Sequence, residues 1–145
     1  MLLNDWELKH QMSLVGASAP APGSPLAGWR VLVIEDEYFI ADDIARALAS
    51  LGAEIVGPIG DLEEAQRVLD TGATVDAALL DINIRNEMIF PLARTLRSRN
   101  VPFMFVTGYD KDSLGSEFHD IPVVEKPLDI SAVARLLADM KLKRS

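Results

Sequence analysis

The sequence predicts one α/β domain: a parallel sheet of five strands with helices on both faces. Three observations carry the prediction. From Trp29 onward, a short apolar run is followed by a helical segment five times over. The runs are continuously apolar, as in strands buried on both faces, rather than alternating. Polar residues gather where the runs end. Such strand–helix alternation builds a parallel sheet covered on both sides.

The first strand is Val31–Ile34 (VLVI), closed by the acids Glu35 and Asp36. Phe39, Ile40, Ile44, Ala47, Leu48 and Leu51 then fall on one helical stripe over 38–51. Gly52 stands where a helix C-cap belongs. Ala53–Val56 is the second strand, closed by Gly57-Pro58. Asp61 with Glu64 three residues on is a capping-box start, followed by Leu62, Ala65, Val68 and Leu69 on one face. Val75–Leu80 is the third strand and ends at Asp81; a helix follows over 88–98. Val101–Val106 is the fourth strand and ends at Thr107. Residues 110–118 (DKDSLGSEF) hold few apolar positions and Gly115, so the fourth helix is expected to be short or frayed. Ile121–Val124 is the fifth strand and ends at Lys126-Pro127. The last helix starts near Asp129, with Val133, Leu136, Leu137 and Met140 on one face and Lys141, Lys143 and Arg144 at the end that favours cations.

Residues 29–145 are thus the expected folded domain, and 1–28 an N-terminal extension. Within it, 17–28 (ASAPAPGSPLAG) has linker composition. Leu2, Leu3, Trp6, Leu8, Met12, Leu14 and Val15 fit a short amphipathic helix. That segment admits two readings, a loosely docked extension or a docking segment for a partner.

Composition removes several function classes. The 145 residues include no cysteine, which excludes disulfides, thiolate metal sites and a cysteine nucleophile. The two histidines, His10 and His119, lack a metal-ligand spacing. With 14 basic and 22 acidic residues the net charge is −8, the wrong sign for gripping a phosphate backbone, and direct DNA binding is not expected. Neither a membrane-length apolar run nor a signal pattern is present, so a cytoplasmic location without membrane association is the expectation.

The polar residues at the strand ends carry the functional signal. In open α/β sheets, ligands bind in the crevice at the carboxyl ends of the strands. Glu35, Asp36, Asp81, Thr107 and Lys126 all lie there. Three carboxylates in one crevice repel one another unless neutralised. A hard divalent cation such as Mg2+ takes carboxylate oxygens, and Lys126 supplies a second positive charge. An ammonium and a hydroxyl beside such a metal are the parts that stabilise a transferring phosphoryl group. A carboxylate can be its covalent acceptor.

On the segments VLVIEDE (31–37), ALLDINI (78–84), FVTGYD (105–110) and VEKPLD (124–129), the chain resembles the receiver domain of two-component response regulators, the CheY-like family. The resemblance covers 29–140. It implies a flavodoxin-like doubly wound sheet of strand order 2-1-3-4-5, and a role for each matched residue. Asp81 is then the phosphoacceptor. Asp36 binds Mg2+ directly, Glu35 through water, and Asp81 and the backbone carbonyl of Asn83 complete the metal set. Thr107 hydrogen-bonds the phosphoryl group, Lys126 pairs with one of its oxygens, and the Lys126-Pro127 peptide is cis.

Departures from the family pattern are informative. The aromatic switch that most receivers carry three residues before the lysine is replaced by Val123. Residues 102–109 (PFMFVTGY) resemble instead the receivers with a Phe-Ala-Thr-Gly-x-Tyr signature (the FATGUY type), often stand-alone proteins. Here Val106 replaces the alanine and Tyr109 directly follows Gly108. Tyr109 reads either as the substitute switch or shield, or as a loop aromatic. Gly108 reads either as an opening for the phosphodonor or as a turn glycine. Phe90, Phe103 and Phe105 read as core, and His119 as surface.

The implied function is a single-domain response regulator. It accepts its phosphoryl group from a sensor histidine kinase or a histidine phosphotransfer protein. Its output is contact with a downstream protein partner or service as a phosphate sink, as a monomer or weak homodimer. It is a switch that assists its own phosphorylation and dephosphorylation, not a turnover enzyme. The alternative is a pseudo-receiver that docks partners without phosphorylation. A phosphatase of the haloacid-dehalogenase type is disfavoured because Asn83 stands where that chemistry needs a second acid.

Overall fold

The computed structural model describes residues 24–85, 87–108 and 114–144. The expected N-terminal helix, His10 and Tyr109 lie outside these residues. In chain order the elements are β1 (Arg30–Ile34), α1 (Tyr38–Ser50), β2 (Glu54–Ile59), α2 (Leu62–Asp70), β3 (Ala77–Asp81), β4 (Asn83–Ile84), β5 (Glu87–Met88), α3 (Phe90–Ser98), β6 (Phe103–Thr107), β7 (Val123–Glu125) and α4 (Ile130–Arg144). The main sheet is parallel with order β2-β1-β3-β6-β7, the 2-1-3-4-5 order expected once the small β4–β5 hairpin is set aside.

Side-chain alternation along the strands divides the core in two. Leu32, Ile34, Ala78, Leu80, Phe103 and Phe105 face the α2 and α3 side, where they meet Ala65, Val68, Leu92 and Leu96. Val31, Val33, Ala77, Leu79, Met104 and Val106 face the other side and meet Ile44 and Leu48 of α1 and Val133 and Leu137 of α4. The continuous apolar runs in the sequence are therefore two interleaved faces.

Two elements depart from expectation. β2 does not stop at Gly57-Pro58 but continues to Ile59. Pairing with β1 slips between Leu32 and Ile34, so the strand passes the dipeptide as a bulge. β2 is an edge strand, where a proline costs no ladder hydrogen bond. Gly57 has φ +117°, and a Cβ there would lie 2.8 Å from the Val33 carbonyl oxygen. Phe39, expected on the buried stripe of α1, is 81% exposed. The buried positions are Ala41, Ile44 and Leu48. Phe39 precedes Ala41 by two residues, about 200° around a helix, and so points away.

Capping follows the sequence. Asp61 Oδ1 accepts from the Glu63 and Glu64 N–H groups at 2.8 and 3.2 Å. Asp129 Oδ1 accepts from the Ser131 N–H at 3.0 Å. Core packing begins upstream of Trp29: Leu26 is fully buried, and its N–H donates to the Leu51 carbonyl at 2.9 Å. Lys141 Nζ of α4 donates to the Ala27 carbonyl at 2.8 Å.

Among the described residues between β6 and β7 there is no α-helix. Residues 114–121 are instead pinned to α3. Phe118 is buried, stacked on Phe90 with ring centroids 5.4 Å apart and edge-on to Phe105 at 5.4 Å. Arg94 grips Glu117 through two bonds of 2.6 and 2.9 Å, and Arg97 donates to Asp120 at 3.0 Å. Phe90, Phe103 and Phe105 are thus core residues, as expected. His119 is exposed.

Candidate functional site

The site is assembled at the carboxyl ends of β1, β3, β6 and β7. Asp81 is the last residue of β3 and Thr107 the last of β6. Glu35 and Asp36 follow β1 directly. The Lys126 N–H donates to the Thr107 carbonyl at 2.8 Å, which extends the β6–β7 ladder and sets the lysine beside β3. The Lys126–Pro127 peptide is cis, as is Gly57–Pro58.

Asp36, Glu37, Asp81, Asn83, Arg85, Gly108 and Lys126 line a cavity of about 520 Å3. Glu35 and Asp81 are buried, and Thr107 is buried at its strand end. Three carboxylates converge on the Lys126 ammonium: Nζ lies 2.8 Å from Glu35 Oε1, 2.8 Å from Glu37 Oε1 and 2.9 Å from Asp81 Oδ2. The contact with Glu35 is an ion pair outside hydrogen-bonding angles, so Glu35 Oε1 has no hydrogen-bond donor. Asp81 Oδ1 accepts from the Asn83 N–H at 3.1 Å. The Oδ1 of the Asn83 side chain is buried without a hydrogen-bond partner. Asp36 Oδ2 accepts from the Arg85 N–H at 3.0 Å.

This crowding shifts the ionisable groups. Burial, reinforced by Asp81, pushes the Glu35 carboxyl up to about 8. Burial opposes the charge on Lys126, but its contacts with Glu35, Glu37 and Asp81 outweigh that and raise its pKa above the usual lysine value. The pocket is short of positive charge. One oxygen each from Glu35, Asp36 and Asp81 lie within 4.8 Å of one another. An all-oxygen acidic set of three carboxylates, two of which share a single ammonium, fits a hard divalent cation such as Mg2+.

The sequence-predicted residues Glu35, Asp36, Asp81, Asn83, Thr107, Gly108 and Lys126 therefore come together at one end of the sheet. Gly108 lines the cavity, avoids the left-handed region, and would place an added Cβ with no atom within 4 Å. The backbone thus gives no conformational reason for a glycine there. Val123 pairs with Phe105 and puts no aromatic ring at that position of β7. Sequence reasoning missed two residues. Glu37 follows the Glu35-Asp36 pair directly, and nothing in its residue type or spacing marks it as an acid that meets Lys126. Arg85 enters because the β4–β5 hairpin, anchored by the buried Ile84 and Ile89, turns at φ +50° and aims its N–H at Asp36. Two-residue strands leave no readable period.

No family model matches the chain. Over 109 residues it is 30% identical to the transcriptional regulatory protein PdtaR of Mycobacterium tuberculosis, covering 74% of this chain and 48% of PdtaR. The chain thus spans about half the length of the curated relatives it matches. The solution structure of SdrG from Sphingomonas melonis is 36% identical, with a TM-score of 0.69 over 81% of this chain and 98% of SdrG. A CheY-like response regulator receiver domain from Methylobacillus flagellatus is 25% identical, with a TM-score of 0.65 over 77% of this chain and 98% of that domain. With this sheet order and this pocket, these likenesses lead to one conclusion: the chain belongs to the CheY-like receiver-domain family of response regulators.

Proposed function

We propose that this receiver accepts a phosphoryl group on Asp81 in a Mg2+-dependent reaction and acts as a phosphorylation switch rather than a turnover enzyme. The observation that carries the reading is Asp81, buried at the end of β3 with Lys126 Nζ at 2.9 Å and two further acids beside it. The donor is a phosphohistidine of a sensor kinase or phosphotransfer protein. A carboxylate oxygen of Asp81 attacks phosphorus, the P–N bond breaks, and its electron pair stays on the donor imidazole. The Asn83 N–H holds the Asp81 carboxylate in orientation. The Lys126 ammonium takes a phosphoryl oxygen and the Thr107 hydroxyl donates to another. Glu35, Asp36 and Asp81, with the Asn83 carbonyl, would hold Mg2+, which supplies charge neutralisation on the transferring group.

The phosphoryl group changes charge and hydrogen bonding at the strand ends, and a protein partner selects the resulting packing. Output is protein contact or a phosphate sink, in the cytoplasm. The sequence Phe105-Val106-Thr107-Gly108-Tyr109 supports a FATGUY-type receiver in this reading. The pseudo-receiver alternative gains nothing from a site in which every acidic and basic part is present.

The test is intact mass after incubation with acetyl phosphate, with and without Mg2+, on wild type and Asp81→Asn. One added phosphoryl group that requires both Mg2+ and Asp81 is the expected result. An adduct on the Asp81→Asn variant, or none on wild type with either acetyl phosphate or a phosphorylated donor protein, overturns the reading.

A further inference from the structure

Glu37 stands apart from the other two carboxylates on Lys126. It lies outside the acidic trio that fits a metal, and its side chain is 59% exposed at the rim of the cavity. It also occupies the N-cap position of α1, with extended backbone, yet its carboxylate makes no cap hydrogen bond, and the first turn of α1 has no acid. A side chain that caps from this position bonds the N–H groups two and three residues on, as Asp61 does at the start of α2. Here Glu37 forgoes both bonds and reaches across 89 residues of sequence to Lys126, at 2.8 Å.

We infer that Glu37 is a competing carboxylate: it holds the Lys126 ammonium in the resting protein, and an arriving phosphoryl group must displace it. This deepens the receiver reading and rests on it. A phosphoryl oxygen and the Glu37 carboxylate are like charges seeking the same ammonium. A metal held by Glu35, Asp36 and Asp81 would neutralise the trio without taking Glu37 as a ligand. When displaced, Glu37 has a place to go, the Phe39 and Ile40 N–H groups at the start of α1. It therefore sets the threshold for loading the site and links loading to the N-terminus of α1, beside the exposed Tyr38 and Phe39. It is a positioning residue, acting through Lys126.

Beryllofluoride with Mg2+ probes the site without phosphoryl transfer. The wild-type chain, Glu37→Gln and Glu37→Asp are titrated with it and followed by the backbone amide resonances of Gly108 and Lys126. Glu37→Gln removes the charge with little change of shape, and is expected to bind about twofold to fivefold tighter. The difference shrinks as salt is raised, because the pair is partly solvated. Glu37→Asp keeps the charge but shortens the reach and favours the helix cap, so it is expected to fall between wild type and Glu37→Gln. Equal or weaker binding by Glu37→Gln, or a difference indifferent to salt, overturns the inference while leaving the receiver reading intact. Failure of the wild type itself to bind beryllofluoride with Mg2+ overturns the receiver reading, and the inference with it. Thermal melting of each variant confirms that folded protein is compared.

Discussion

Removing the Phe118 ring tests what holds the segment between β6 and β7. The ring is 2% exposed, stacked on Phe90 and edge-on to Phe103 and Phe105, with the Arg97 guanidinium 5.2 Å from its centroid. Truncating a buried Phe to Ala costs about 3–5 kcal/mol through lost burial and the cavity left behind. Three ring–ring contacts keep this site off the bottom of that range, so Phe118→Ala should cost about 4 kcal/mol. For a domain of this size that is about 8–16 °C in Tm. Urea denaturation measures the loss. Hydrogen exchange over 114–121 shows whether it is global or confined to the segment. Arg94→Ala, which removes only the exposed grip on Glu117, should produce a far smaller loss. A loss below about 1 kcal/mol for Phe118→Ala with unchanged exchange would refute the claim that the ring is the anchor.

Four other outcomes follow from the same geometry. Lys126→Met leaves the buried Asp81 without its counter-charge; it should destabilise the metal-free protein by about 3 kcal/mol, with Mg2+ restoring part of the loss in thermal melts. The folded Glu35 carboxyl titrates near 8 against 4.5 unfolded, so its contribution is complete below pH 4.5 and is lost as pH rises toward 8. Metal-free wild type should therefore lose stability across that window, and Glu35→Gln should flatten the slope in urea titrations at stepped pH. Leu26→Ala should cost about 3 kcal/mol, and a truncation starting at Ala27 should lose as much or more, because Leu26 is fully buried. Gly108→Ala should slow transfer from a phosphorylated donor protein more than labelling by acetyl phosphate, measured as the ratio of the two rates; an unchanged ratio means the position does not govern access.

Much of this was legible in the sequence because the relevant signals are local. Continuous apolar runs ending in Asp81, Thr107 and Lys126 gave both the strands and the crevice, since a parallel sheet brings all strand ends to one edge. Asp61 announced its cap by residue type and spacing. The failures came where tertiary context decided. Gly57-Pro58 reads as a breaker, and only an edge position with a bulge lets β2 run through it. Phe39 is apolar but sits about 200° from the face that α1 buries. Leu26 looks like linker among prolines and glycines, and only its place in the core cluster with Ile44, Leu48, Val133 and Leu137 makes it core. Glu37 could not be assigned because which acid a lysine chooses depends on the backbone direction at the start of α1.

The Lys141–Ala27 hydrogen bond has an engineering corollary. α4 runs back along the sheet, so its last turn and the approach to β1 meet at the edge opposite the acidic cavity. Cargo spliced onto either side of that seam, or a circular permutant that joins the two, would leave the mouth of the cavity clear. The unit is wired as a plug-in part: mechanical attachment at one pole, chemistry at the other.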